Sequence, residues 1–259
     1  MSILRRALSS LSRRTGRPEL LAAVYPLARQ QLREEIGVRA ILAATLARND
    51  TYIDIGTNRG QLLAEAVRVA PQGRHLAFEP IPALAAQIRQ AFPQVDCRQI
   101  ALGAHPETAE FCHFRKLDGW SGLKRSLEIS DEQGEPEYIT VEVSTLDTEV
   151  GDLSPRVIKI DVEGAELAVL EGGRALLSRA RPTIIFEHVA SASALYGVQS
   201  GMLWDELAEL GYAIFTAAGD GPIPRGQLGG EATTVNWLAT PALSWPLRRA
   251  GDRASLSAD

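Results

Sequence analysis

Residues 51–60 read Thr51-Tyr52-Ile53-Asp54-Ile55-Gly56-Thr57-Asn58-Arg59-Gly60. A short apolar, β-branched run that stops at a glycine is the pattern of a buried strand. Residues 61–69 then carry apolar side chains at helical spacing, and Pro71-Gln72-Gly73 ends them. The stretch is therefore a strand, a tight turn and a helix. Glycine at 56 and 60 lets backbone approach a ligand with no Cβ in the way, and Asp54 brings a carboxylate to the same turn. The spacing is D-x-G-x-x-x-G. It is neither the dinucleotide fingerprint G-x-G-x-x-G nor the phosphate loop G-x-x-x-x-G-K-[ST], so a pyrophosphate site is disfavoured.

The same alternation continues downstream. A strand over 75–79 ends in Glu79-Pro80, a helix over 82–92 opens on proline, and a third strand is expected over 95–102. The alternation pauses over 108–143. There 109–114 and 138–143 alternate like antiparallel strands around a Gly/Ser/charged stretch, which predicts an inserted hairpin. It resumes with a strand over 157–161, a helix over 165–177, a strand over 183–187 and a helix over 202–210. The last two strands, 212–216 and 233–238, have no helix between them and should pair antiparallel at a sheet edge. Such an order implies an α/β, doubly wound, mostly parallel sheet. Upstream, residues 18–46 are mostly helical, with Leu20, Leu21, Val24, Leu27, Leu32 and Ile36 as the apolar side. The chain divides into an N-terminal helical extension (1–48), a central domain (49–240) and a tail (241–259).

Composition narrows the function. With 45% hydrophobic residues in 259, wholesale disorder is excluded, and a net charge of −5 argues against a generic nucleic-acid binder. Two cysteines, Cys97 and Cys112, fit no zinc spacing and no disulfide framework, which suits a reducing, cytoplasmic setting. Nothing approaches the ~20 apolar residues needed to span a bilayer. Over residues 1–40, eight arginines face only Glu19, Glu34 and Glu35. That bias suits amphipathic helices packed on the domain, or peripheral contact with an anionic membrane.

In an open parallel sheet, ligands bind beyond the carboxyl ends of the strands. The residues there are Asp54 to Gly60, Glu79-Pro80, Gln99 to Gly103, Asp161-Val162-Glu163-Gly164 and Glu187-His188. Glu79 lies 19 residues past Gly60. An acidic residue about 20 residues on is placed to grip the hydroxyls of a ribose. A ligand with a ribose and no phosphate fits best, because the first turn brings a carboxylate and no lysine.

Several blocks occur in order: Asp54 to Gly60, Phe78-Glu79-Pro80, Ala101-Leu102-Gly103, Ser144-Thr145-Leu146-Asp147, Ile158 to Glu166, and Leu170-Glu171-Gly172-Gly173. Together they resemble the FkbM family of S-adenosylmethionine-dependent methyltransferases, from about residue 50 to 216. The segment Lys159-Ile160-Asp161-Val162-Glu163-Gly164-Ala165-Glu166 is the most discriminating. The resemblance implies a class I methyltransferase fold, Rossmann-like, with a seven-stranded sheet and an antiparallel edge strand. It implies S-adenosylmethionine as cofactor and O-methylation of a sugar or glycan, a glycolipid or a secondary metabolite. It places Asp54, Gly56, Asn58 and Gly60 along the methionine end of the cofactor, Glu79 and Pro80 by the ribose, and Ile100 and Ala101 against the adenine. Asn58 stands where many class I enzymes have a third glycine, a change the family pattern tolerates.

Methyl transfer to an alcohol requires alignment of oxygen, methyl and sulfur, and removal of the hydroxyl proton. His188, with a suitable ordinary pKa, is the expected base, with Asp161 and Glu187 as alternatives. Asp161 also points towards the cofactor. Strand alternation puts Lys159 on the same side as Asp161, and a lysine in a central strand needs a carboxylate partner. A divalent ion held by Asp161, Glu163 or Glu187 is a second route to an acidified hydroxyl, but no compact ligand spacing supports it. Glu166 reads as a cap at the start of its helix. Trp120, within Leu117 to Lys124, suits a lid or acceptor wall, while His105 and His113 read as solvated. Two other readings stay open: a non-catalytic nucleoside-binding or membrane-recruited scaffold, and an NAD-dependent oxidoreductase, which lacks its glycine fingerprint.

Overall fold

Four short apolar runs, β-branched in all but the second, form the middle of the fold: β1 (Tyr52–Ile55), β2 (Leu76–Phe78), β7 (Val157–Ile160) and β8 (Thr183–Glu187). The computed structural model describes residues 26–114, 121–124, 136–229 and 235–242. Side chains alternate along each strand. Ile53, Ile55, Phe78, Ile158 and Phe186 join one core, and Tyr52, Ala77, Val157 and Ile185 join another on the opposite face. Helices α1 (Pro26–Thr45), α2 (Gln61–Val69) and α3 (Pro82–Ala91) cover the second face. Helices α5 (Glu166–Glu171), α6 (Arg174–Ala180) and α8 (Ser200–Glu209) cover the first. Among the described residues no helix is long and apolar enough to cross a membrane.

With β3 (Asp96–Arg98), β9 (Tyr212–Thr216) and β10 (Asn236–Pro241), the main sheet runs β3-β2-β1-β7-β8-β10-β9. Pairing is parallel from β3 to β8. β10 runs antiparallel to both β8 and β9, so the expected antiparallel pair stands at that edge, with the reversed strand one place in from it. The strand order turns back between β1 and β7, the point where such sheets open a ligand crevice. Register there sets Asp54 beside Lys159.

The inserted hairpin forms as expected. β5 (Glu107–His113) pairs antiparallel with β6 (Glu137–Ser144) along its whole length. The expected third strand over 95–102 is two strands. After β3 the chain leaves the main sheet, and β4 (Ala101–Leu102) pairs parallel with β6 in a separate sheet of three. His113, read as solvated, is buried at the end of β5, whereas His105 is exposed. The expected helix over 165–177 is also two, parted at Gly172 and Gly173, where neighbouring chain leaves no room for a side chain. A Cβ on Gly172 would stand 2.1 Å from the Gly103 carbonyl oxygen. Two short helices, α4 (Leu146–Val150) and α7 (Ala190–Ala194), complete the set.

Helix α1 is continuous with the domain. Val38, Leu42 and Leu46 enter the core beside Tyr52, Leu63 and Phe215, while Ile36, expected on the apolar side, is exposed. The buried stripe also carries Glu34, whose carboxylate accepts a hydrogen bond from Asn236 Nδ2 at 3.1 Å. Residues 1–25, which hold most of the proposed membrane contact and the stripe over Leu20, Leu21 and Val24, lie outside the described residues. So do Trp120 and residues 243–259. Cys97 and Cys112 are buried and unpaired with each other.

Candidate active site

The turn after β1 is shaped by its neighbours. Gly56 has φ +73°, and a Cβ there would lie 1.8 Å from the Asp161 carbonyl oxygen, so only glycine fits. The Gly56 and Thr57 amides donate to the Phe78 carbonyl, drawing the tips of β1 and β2 together. Asn58 follows at φ +51°. Asparagine is among the few side chains at ease in that left-handed region, which accounts for the exchange of glycine for asparagine.

That conformation aims the Asn58 amide at Glu79, whose two carboxylate oxygens accept from Asn58 N at 2.7 Å and Ile81 N at 2.9 Å. Glu79 is 3% exposed. Burial pushes its carboxyl up to about 7, against the pull of those two amides. Across the turn, the Lys159 ammonium donates to the Asp161 carboxylate at 2.9 Å and to the Gly56 carbonyl at 3.2 Å, and stands 3.9 Å from Asp54 Oδ1. Burial works against the ammonium, yet the Asp161 and Asp54 charges outweigh it and hold Lys159 above its ordinary range. The expected pairing of Lys159 with Asp161 is present. Burial lifts Asp54 to about 6, with Lys159 opposing and Asp161 adding to the rise.

A cleft opens at these tips. Gly56, Asn58, Glu79, Pro80, Ile100, Ala101 and Asp161 line it, seven of the residues that sequence placed around a cofactor. Asp54 and Gly60 stand behind it. Asp54 is 1% exposed beneath the turn, and Gly60 faces Ile88 and Phe92 of the α3 side. The far wall is apolar, with Ile81, Leu102, Phe111 and Leu123, and it includes Ser121. Ser121 and Leu123 belong to the stretch expected to form an acceptor wall. Their place is fixed by a bridge in which Cys112 and Gly122 exchange amide–carbonyl hydrogen bonds.

His188, expected as the base, does not reach the cleft lining. It is 1% exposed, its Nε2 lies 2.8 Å from Ser200 Oγ, and its Nδ1 lies 3.1 Å from Ser193 Oγ. Burial lowers it to about 4, so the ring is neutral and ties β8 to α7 and α8. Glu187 is also outside the lining and faces Asn236 across the ladder. Among the described residues no group of three His, Cys, Asp or Glu side chains is gathered to hold a metal ion. Sequence reasoning gave no role in the cleft to Phe78, Ile81, Phe111 or Ala165: Phe111 comes from the second sheet, which spacing does not place, and the other three sit at or just past main-sheet strand ends, beside residues singled out for their polar groups.

The family described as the methyltransferase FkbM domain matches residues 54–214, more than half of the chain. The chain belongs to the FkbM methyltransferase family. Among curated proteins, the methyltransferase sdnD of Sordaria araneosa is 29% identical over an alignment 161 residues long, covering 50% of this chain and 62% of that protein. The chain thus spans under two thirds of that relative's length. The crystal structure of methyltransferase FkbM from Methylobacillus flagellatus KT is 17% identical, with a TM-score of 0.48, over 75% of this chain and 44% of that one. A TehB-like S-adenosylmethionine-dependent methyltransferase from Corynebacterium glutamicum is 11% identical, with a TM-score of 0.44, over 91% and 96% of the two chains. At such scores the assignment rests on the family match, and the sheet order is what that family implies.

Proposed function

We propose that the protein transfers a methyl group from S-adenosylmethionine to a hydroxyl on a sugar or glycan, a glycolipid or a secondary metabolite. The observation that carries this reading is the Glu79 carboxylate, held by two backbone amides at the edge of a cleft whose opposite lip is Gly56. Each of its oxygens accepts one amide and keeps lone-pair capacity for a further donor. A ribose offers two adjacent hydroxyls to such an acceptor. The apolar wall of Ile81, Ile100 and Leu102 suits a purine, and Asp161 gives the methionine end a carboxylate for its ammonium.

The bound cofactor supplies a methyl group already activated on a sulfonium. What remains for the chain is to hold, orient and dehydrate the reactants. Lys159 fixes the Gly56 carbonyl and the Asp161 carboxylate relative to each other, so the tips of β1 and β7 keep one spacing. The wall of Phe111, Ser121 and Leu123 closes the side away from the main sheet.

Calorimetry with S-adenosylmethionine and S-adenosylhomocysteine is the first test, and folded protein that binds neither refutes the reading. Glu79→Ala removes charged acceptors and is expected to raise the S-adenosylmethionine Kd at least about 30-fold. Glu166→Ala should cost less, since Glu166 does not line the cleft.

A further inference from the structure

Three carboxylates line the cleft: Glu79, Asp161 and Glu163. The first is fixed by amides at the tip of β2, and the second is ion-paired with Lys159 at 2.9 Å. Glu163 differs from both in its backbone. Its φ is +54°, in the left-handed region that glycine fills freely and glutamate enters only at a cost in backbone strain. The fold enforces this conformation from several sides. The Val162 and Gly164 amides, either side of Glu163, both donate to Glu166 Oε1, at 3.3 and 3.0 Å. Glu166 is itself buried, and burial lifts it to about 7. Gly164 lies so near α7 that a Cβ on it would stand 2.6 Å from the Ala192 carbonyl. On the cleft side, a Cβ on Gly122 would lie 3.5 Å from the Glu163 Cβ, so the hairpin segment rests on the glutamate. A strained, non-glycine residue held at the mouth of a cleft points to a role for its side chain.

We propose that Glu163 is the catalytic base. This rests on the methyl-transfer reading and adds the group that completes it. The acceptor O–H proton passes to the Glu163 carboxylate as an oxygen lone pair bonds to the methyl carbon. The carbon–sulfur bonding pair returns to sulfur and neutralises the sulfonium. The products are a methyl ether, S-adenosylhomocysteine and protonated Glu163, which returns its proton to solvent.

A binding experiment tests this without knowledge of the acceptor. Sinefungin carries a C–NH3+ group where S-adenosylmethionine has S–CH3, and S-adenosylhomocysteine carries neither. With a carboxylate facing the methyl position, the wild-type protein should bind sinefungin at least about tenfold tighter than S-adenosylhomocysteine. In Glu163→Gln and Glu163→Gly the preference should fall to within about threefold, with the S-adenosylhomocysteine Kd unchanged. Glu163→Gly should also melt at or above the wild-type temperature, because glycine relieves the backbone. A preference retained in both variants, or absent from the wild type, overturns the assignment of Glu163 and leaves methyl transfer standing. Wild-type protein that binds neither ligand overturns the methyl-transfer reading and the assignment with it.

Discussion

Asp54 and Lys159 face each other across β1 and β7, and the pair shows how a charge is kept inside a sheet. Lys159 contributes one ammonium to two carboxylates and a carbonyl. Lys159→Met leaves Asp54 buried beside the Asp161 charge with its counter-ion gone. We expect a loss of about 3 kcal/mol of stability at pH 8, read from urea midpoints. The loss should shrink at pH 5, where Asp54, lifted to about 6, is already protonated. Half of this arrangement is legible in the sequence: side chains two apart on a strand share a face, so Lys159 and Asp161 had to meet. Asp54 is not legible in that way. Its role depends on the register of β1 against β7, and on sequence alone its position in the turn resembles a ligand contact. His188 is a similar case, since the end of a strand looks accessible until α7 folds over it.

At the level of elements, α1 and the second sheet hold what spacing did not reveal. The apolar stripe of α1 was expected through Leu32 and Ile36, yet the buried side runs through Val38, Leu42 and Leu46. Glu34 sits on that same side, four residues before Val38, and its charge disguises the period. Hydrogen bonds from the Asn236 side chain and from the Val235 and Asn236 amides, 201 and 202 residues away, explain why a glutamate is tolerated there. Leu42 is fully buried between the helix and the sheet. Leu42→Ala should cost about 3 kcal/mol, with a matching fall in the thermal midpoint. A loss under 1 kcal/mol would show that α1 is a detachable extension. The break of β3 from β4 is a second departure from the expected elements. One continuous strand and two short ones share the same apolar pattern over 95–102, and only the pairing of β4 with β6 decides between them.

For the whole molecule, the alternation of strands and helices was enough to predict the doubly wound sheet and its antiparallel edge, because each unit announces itself locally. The cleft's electrostatics are a property of the assembled fold. Glu79 and Glu166 are both lifted to about 7 by burial, so the native state holds their protons more tightly than the unfolded chain does. Their contribution to stability is complete below the ordinary carboxylate range and is lost as pH rises through 7. Between pH 6.5 and 8 the buried histidines His75 and His188, both lowered, stay neutral in the native state but titrate near 6.5 in the unfolded chain, which offsets part of that loss in the lower half of this interval without reversing it. The urea midpoint of the ligand-free protein should therefore fall across this interval. Affinity for S-adenosylhomocysteine should rise over the same range, as Glu79 ionises to accept ribose hydroxyls. Glu79→Gln should flatten the affinity change and remove at least half of the fall in midpoint. A midpoint that climbs from pH 6.5 to 8 contradicts this account.

Among the described residues, the sheet formed by β4, β6 and β5 shares no strand ladder with the seven-stranded frame, yet it supplies Phe111 to the cleft. The hairpin can thus be exchanged as a cassette. A chimera carrying a relative's segment in place of residues 107–144 keeps every ladder of the main sheet and both lips at Gly56 and Glu79. Under the proposed methyl transfer, selectivity for the acceptor would then diverge among relatives while the half of the pocket proposed for the donor is inherited unchanged.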